Sequence, residues 1–283
     1  MESLKITSRH NALVKHARAV RYGREANDQI FIEGLRLAEE AVSSGLLIQD
    51  ALYTERLEHE ERGHRLLEKL KAEGCRLSLV SEDVLASVSD TRTPQGIILL
   101  ASRPRSQRAA LLTGVKIRES KSEQFEDSNE IKSPLIVIIH GINNPANAGA
   151  ILRTAEAAGV TGVISTRGTT DIFSPKALRG AMGSSFRLPA WTGADFTEAV
   201  SWCKEQAIRT IGSSLNATKT YSEADWTTPC ALIIGSEAAG LSDSELYILD
   251  EAIRIPMRPP VESLNAAVAT GIILYEASRQ RKN

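Results

Sequence analysis

Residues 134–142 read PLIVIIHGI, a near-continuous apolar run of strand length. A strand with one wet face alternates apolar and polar residues, so an unbroken run implies burial on both faces, as in a parallel sheet covered by helices. The segments that follow keep the order such a sheet needs. A helix is expected over 148–159, a strand at GVIST (162–166) and a helix at SPKALRGAMG (174–183). Further strands follow at TIGSS (210–214), CALIIG (230–235) and AIRIPM (252–257), with a final helix over 264–279. Repeated strand and helix alternation predicts an α/β, doubly wound parallel sheet with right-handed crossovers.

Upstream, IFIEG (30–34), LRLAEEAVSSG (35–45), DALYT (50–54), RLSLV (76–80) and QGIILLA (95–101) alternate in the same way and predict a smaller α/β domain with its own core. Between the two, residues 106–133 mix both charges with Ser and Asn and offer few apolar partners past Val115, the texture of a linker. The expected organisation is therefore 1–105, a linker over 106–133, and 134–283.

At 283 residues and 42% hydrophobic content, the chain is long enough for two such cores. No stretch approaches the roughly 20 apolar residues of a membrane span, and the start is polar, so a soluble, cytoplasmic protein without membrane attachment is expected. Cys75, Cys203 and Cys230 are distant, odd in number and in no metal-ligand spacing, and the five histidines show none either. No metal site is predicted.

A net charge of -1 argues against wholesale polyanion binding, since phosphate contacts come from Lys and Arg, and leaves local patches. One is legible near the start, where Lys5, Arg9, Lys15, Arg18, Arg21 and Arg24 face Glu2 alone. Lys15, Arg18 and Arg21 share a helical face opposite Leu13, Ala17 and Val20, which suits a helix docked on a core with its cations outward as an RNA-binding face.

In an open parallel sheet the ligand crevice lies beyond the carboxyl ends of the strands. Three segments fall there. Asn143-Asn144-Pro145-Ala146-Asn147 leads into a helix that carries Arg153, with Asn147 placed as its cap. Gly235-Ser236-Glu237-Ala238-Ala239-Gly240-Leu241-Ser242 is a glycine-bounded turn with one carboxylate, where Gly permits close approach of a ligand. Ile255-Pro256-Met257 continues through Pro259 and Pro260 to Ser263-Leu264-Asn265, opening the last helix. None of these is a P-loop, a dinucleotide fingerprint or a nucleophile elbow.

Taken in series, N-x-G-x-I-x-R-T-A (147–155), G-x-E-x-x-G-L-S (235–242) and I-P-M ending in S-L-N (255–265) resemble the three motifs of the SpoU/TrmH family of RNA ribose 2′-O-methyltransferases. The resemblance covers 135–279, and residues 1–105 look like the family's RNA substrate-binding extension, similar to certain ribosomal proteins. It implies a trefoil-knotted SPOUT fold, a homodimer and S-adenosylmethionine (AdoMet) as methyl donor. It further implies that Ser213, Leu215, Gly235, Ile255, Met257 and Leu264 surround the cofactor, while Arg153, Asn147, Glu237, Ser263 and Asn265 serve catalysis. The expected substrate is RNA, ribosomal rather than transfer RNA, with a non-catalytic RNA-binding or ribosome-assembly factor of the same fold as the alternative. Where relatives usually carry Gly, two residues after the third-motif Met, this chain has Pro259.

Overall fold

The computed structural model describes residues 5–23, 28–114 and 133–282. They fall into two compact units, one comprising the chain up to Pro104 together with Phe173–Phe186, the other Arg105–Ile172 and Arg187 onward.

The first unit runs α1 (Ala12–Arg21), β1 (Gln29–Glu33), α2 (Leu35–Ser43), β2 (Ile48–Tyr53), α3 (Glu55–His59), α4 (Glu61–Ala72), β3 (Arg76–Leu79), α5 (Glu82–Val88) and β4 (Ile97–Ser102). Its sheet has the order β1-β4-β2-β3, with β4 antiparallel to both neighbours and β3 parallel to β2. Val14 and Ala17 of α1 are fully buried against Val84, Leu85 and Val88 of α5 and Phe31 of β1, with Leu13 and Val20 packed at the margin.

The second unit begins with α6 (Ala110–Thr113), β5 (Leu135–Ile139), α7 (Pro145–Ala157) and β6 (Gly162–Thr166). After α8 (Pro175–Ala181) and α9 (Ser184–Arg187) come β7 (Ala190–Ala194), α10 (Phe196–Glu205), β8 (Arg209–Ser213) and β9 (Lys219–Thr220). The chain closes with β10 (Cys230–Ile234), α11 (Asp243–Tyr247), β11 (Glu251–Arg254) and α12 (Ala266–Arg281). The sheet order is β7-β6-β5-β10-β8-β11-β9, and every pairing is parallel. All five residues of β5 are at 0% exposure, as the apolar run predicts, each worth roughly 1.5–3 kcal/mol of burial.

Two sequence boundaries move. The front of the segment read as a linker carries α6, whose Leu111 is fully buried in the second unit's core beside Ile136 and Ile164; residues 115–132 of that reading lie outside the described residues. Within the stretch read as one continuous second domain, α8 belongs to the first unit. There Arg179 pairs with Asp90 at 2.6 Å, and the Arg103 guanidinium lies 4.7 Å from the Phe173 ring centre.

Chain order leaves β5 for β6 and β7 on one side, then crosses to β8, while β10 inserts between β5 and β8. The direction of winding therefore switches at β5 and β10, and the segments beyond their carboxyl ends converge.

Candidate functional site

The loops that leave β5, β8, β10 and β11 meet at this switch. The first motif starts α7 differently from the sequence expectation. Asn144, not Asn147, is the N-cap, its side chain accepting from Ala146 N at 2.9 Å, with Pro145 in the first turn. Proline carries no N–H to satisfy and its fixed φ suits that position, so the helix begins at Pro145. Asn147 is released from capping, and its side chain turns to other partners.

Those partners come from the second and third motifs. Asn147 Nδ2 donates to Glu237 Oε1 at 3.0 Å, and Asn265 Nδ2 donates to Asn147 Oδ1 at 3.1 Å. Asn265 is also the N-cap of α12, its Oδ1 accepting from Ala267 N and Val268 N. The backbone N–H groups of Asn143 and Asn144 donate to the two Glu237 oxygens at 3.2 and 3.4 Å. Desolvation pushes the Glu237 carboxyl up, but these hydrogen bonds outweigh it and hold the group below the ordinary glutamate range. One ionised carboxylate, through Asn147, thus links three motifs that span more than a hundred residues of chain. The part of Asn143 and Asn144 was not read from the sequence; Asn-Pro at a helix start was the available signal.

The turn that carries Glu237 is closed by glycine. A Cβ on Gly235 would lie 2.4 Å from the Gly240 carbonyl carbon, and Gly240 N donates to Ser236 O at 3.0 Å. The close approach at Gly235 is therefore made first by the chain's own backbone. Ser242 then caps α11 in a capping box with Glu245. His140, at the end of β5, spans the gap with Nε2 2.8 Å from Glu245 Oε1 and Nδ1 2.8 Å from Thr166 Oγ1, a structural tie.

Above the ends of β8, β10 and β11 lies a cleft of about 280 Å³. Ser213, Leu215, Gly235, Ile255, Met257 and Leu264 all line it, as do Glu237 and Ser263. Asn216, Ala266 and Ala269 complete its walls without having been singled out in the sequence. Glu237 is the only charged residue among this lining. Arg153 stands apart from it, exposed on α7 and without a hydrogen-bond partner among the described residues.

The N-terminal basic face is also placed differently from its expectation. Lys15 is exposed, but Arg18 donates to Ser87 at 3.2 Å, and Arg21 pairs with Asp90 at 3.0 Å and donates to Val88 O. Packing α1 on α5 turns these two arginines toward the end of α5 instead of leaving all three cations outward; Arg24 lies outside the described residues. Burial pushes the Cys75 and Cys203 thiols up to about 12, and that of Cys230 upward, so all three stay protonated at neutral pH. Among the described residues no group of His, Cys, Asp and Glu is arranged to hold a metal ion, and no helix is long and apolar enough to cross a membrane.

Residues 134–275 match the SpoU rRNA Methylase family, and residues 11–99 match an MRM3-like substrate binding domain. An uncharacterized tRNA/rRNA methyltransferase of Synechocystis is 34% identical over 98% of this chain and 94% of its own length. The 23S rRNA (guanosine-2′-O-)-methyltransferase RlmB of Coxiella burnetii is 32% identical over 82% of this chain and 88% of its own. Among solved structures, an AdoMet-bound rRNA methyltransferase from Sinorhizobium meliloti superposes with a TM-score of 0.79 at 27% identity, covering 97% of each chain.

Proposed function

The chain belongs to the SpoU rRNA methylase family, and from that premise we propose how its residues divide the work of methylating RNA. The protein is an AdoMet-dependent RNA ribose 2′-O-methyltransferase. The observation that carries the division of roles is the convergence of Asn147, Glu237 and Asn265 into one hydrogen-bonded chain beside the cleft.

The cleft suits AdoMet. Leu215, Ile255, Met257 and Leu264 offer apolar walls for a purine, main-chain groups at the strand ends offer hydrogen bonds for its polar edges, and a lining with one carboxylate and no cation favours a sulfonium charge. When bound, the cofactor supplies an activated methyl group. Gly235 and the turn to Gly240 shape the floor, and Ser263 and Leu264 border the opening.

Arg153 orients the ribose or its phosphate. A guanidinium is a poor base, whereas its fork of donors matches phosphate geometry. It is exposed and has no hydrogen-bond partner among the described residues, which leaves it available for RNA. Glu237 fixes Asn147, which in turn fixes Asn265 and the start of α12, so the groups around the reacting hydroxyl are set before substrate arrives.

The preferred substrate is large-subunit ribosomal RNA, the class named for the Coxiella relative, which puts the work of the protein in the cytoplasm. A homodimer completes the site: Leu264, Val268 and Tyr275 form an exposed apolar stripe at the start and along one side of α12, with 36%, 53% and 58% exposure. The division of labour, RNA binding by the first unit and methyl transfer by the second, belongs to the same reading, as does the knotted path of the second unit.

Calorimetric titration with AdoMet, followed by methyl transfer from labelled AdoMet to total RNA, tests the assignment. A well-folded protein that binds RNA but no AdoMet would be the assembly factor instead. Sedimentation as a monomer at assay concentration would remove the dimer.

A further inference from the structure

The first unit holds a surface that the N-terminal basic helix does not account for. Glu33, at the end of β1, is 5% exposed, and its carboxylate accepts from Asp90 N at 2.7 Å, from Thr91 Oγ1 at 2.6 Å and from Ser89 Oγ. A buried carboxylate is stable only when hydrogen-bonded, so this one fixes the start of loop 89–96. The far end is fixed as well. Gln95 Oε1 accepts from Leu35 N at 3.0 Å, and Arg56 Nη2 donates to Pro94 O at 3.0 Å. The loop is thereby held against the starts of α2 and α3.

Three guanidiniums gather there from three elements. Arg92 is in the loop, Arg36 follows the residue that Gln95 caps, and Arg56 reaches the loop directly; all three are exposed. Neither Arg36 nor Arg92 has a partner among the described residues. Two neighbouring acids are occupied: Asp90 by Arg21 at 3.0 Å and Arg179 at 2.6 Å, and Glu55 by Lys5 at 3.0 Å. The arginines of α4 differ, since Arg62 is held by Glu39 and Arg65 by Glu61 at 3.6 Å.

We propose that loop 89–96, with Arg36 and Arg56 beside it, is the surface on which the first unit grips the phosphate backbone of RNA. This rests on reading the chain as an RNA methyltransferase. A rigid loop presenting several forked donors suits a chain of phosphates, because each fork takes one phosphate bidentately and little entropy is lost in ordering the loop. Arg21 and Arg179 act within the surface by neutralising Asp90, so α1 supports the contact more than it makes it.

The test uses the full chain and a fluorescent RNA hairpin, with affinity followed as salt is raised. In Arg36→Glu/Arg92→Glu, RNA affinity falls by roughly tenfold or more and the salt slope by about 1 per arginine, while AdoMet binding is unchanged. Arg65→Glu/Lys69→Glu, the same charge change on α4, has a much smaller effect. Arg36→Gln/Arg92→Gln gives the same pattern at smaller amplitude should charge reversal impair folding. Wild-type RNA affinity and salt slope in a Gln or Glu double variant that still binds AdoMet would overturn the surface, as would an equal loss in the α4 variant. Failure of the wild type to transfer methyl groups while the arginine dependence of binding persists would instead overturn the enzyme reading and support the surface.

Discussion

Loops 235–242 and 255–264 border the same cleft, yet they are built in opposite ways. The first folds back on its own strand, closes a bridge between Ser236 and Gly240, and holds its carboxylate with donors from the start of α7. The second is exposed from Arg258 through Leu264 and makes one backbone bond of its own, from Val261 N to Arg258 O at 3.1 Å. The contrast separates two jobs. Polar groups that must point in fixed directions are fixed by the fold, whereas the wall that admits a ligand leaves the apolar Leu264 open for contact.

The sharpest way to break this comparison lies outside both loops. Arg153→Ala removes an exposed side chain with no partner among the described residues, so methyl transfer falls about 10²-fold or more while melting temperature and AdoMet affinity stay near wild type. Full activity in a variant that binds both RNA and AdoMet would end its assigned role. Next, Gly235→Ala forces a Cβ to 2.4 Å from the Gly240 backbone, and the tight loop yields at a cost of about 1–3 kcal/mol, read as a lower melting temperature with weaker AdoMet binding.

Asn265→Ala deletes the α12 cap and costs about 1 kcal/mol in chemical denaturation. Glu237→Gln has a smaller effect on stability, well below about 1 kcal/mol because the residue is exposed, but a diagnostic pH dependence. A carboxyl held below its ordinary value stabilises the fold above about pH 4.3 and loses that contribution as pH falls through the folded value. The melting difference between wild type and variant is therefore largest at neutral pH and closes in acid. Smallest of all, Pro259→Ala in the open loop changes stability by no more than about 0.5 kcal/mol. A larger loss there would show that the open wall is as constrained as the closed one.

Much of this was legible in the chain. The run 135–139 announced a strand buried on both faces, and the second and third motifs hold residues that line one cleft, while Arg153 of the first stands apart from it. Asn147 was misread as a cap because Asn is a good cap at almost any helix start; Pro145, two residues earlier, was the more specific signal. Arg18 and Arg21 were read as outward cations because helical spacing fixes which side chains share a face and is silent about what packs beside it. Asp90 and Ser87, about seventy positions downstream, decide where those two arginines point.

By itself, then, the sequence determined local identity: which segments are strands and helices, which turns require glycine, and which polar side chains lie just past strand ends. These follow from periodicity and backbone sterics acting over a few residues. Only the tertiary structure decided the meeting of Asn147, Glu237 and Asn265, because it depends on β10 inserting between β5 and β8. It also decided that α8 joins the first unit and that Asp90 is neutralised from two directions, while Arg36 and Arg92 remain exposed. Long-range pairing of charges and strands is chosen by the global packing, and no local propensity encodes it.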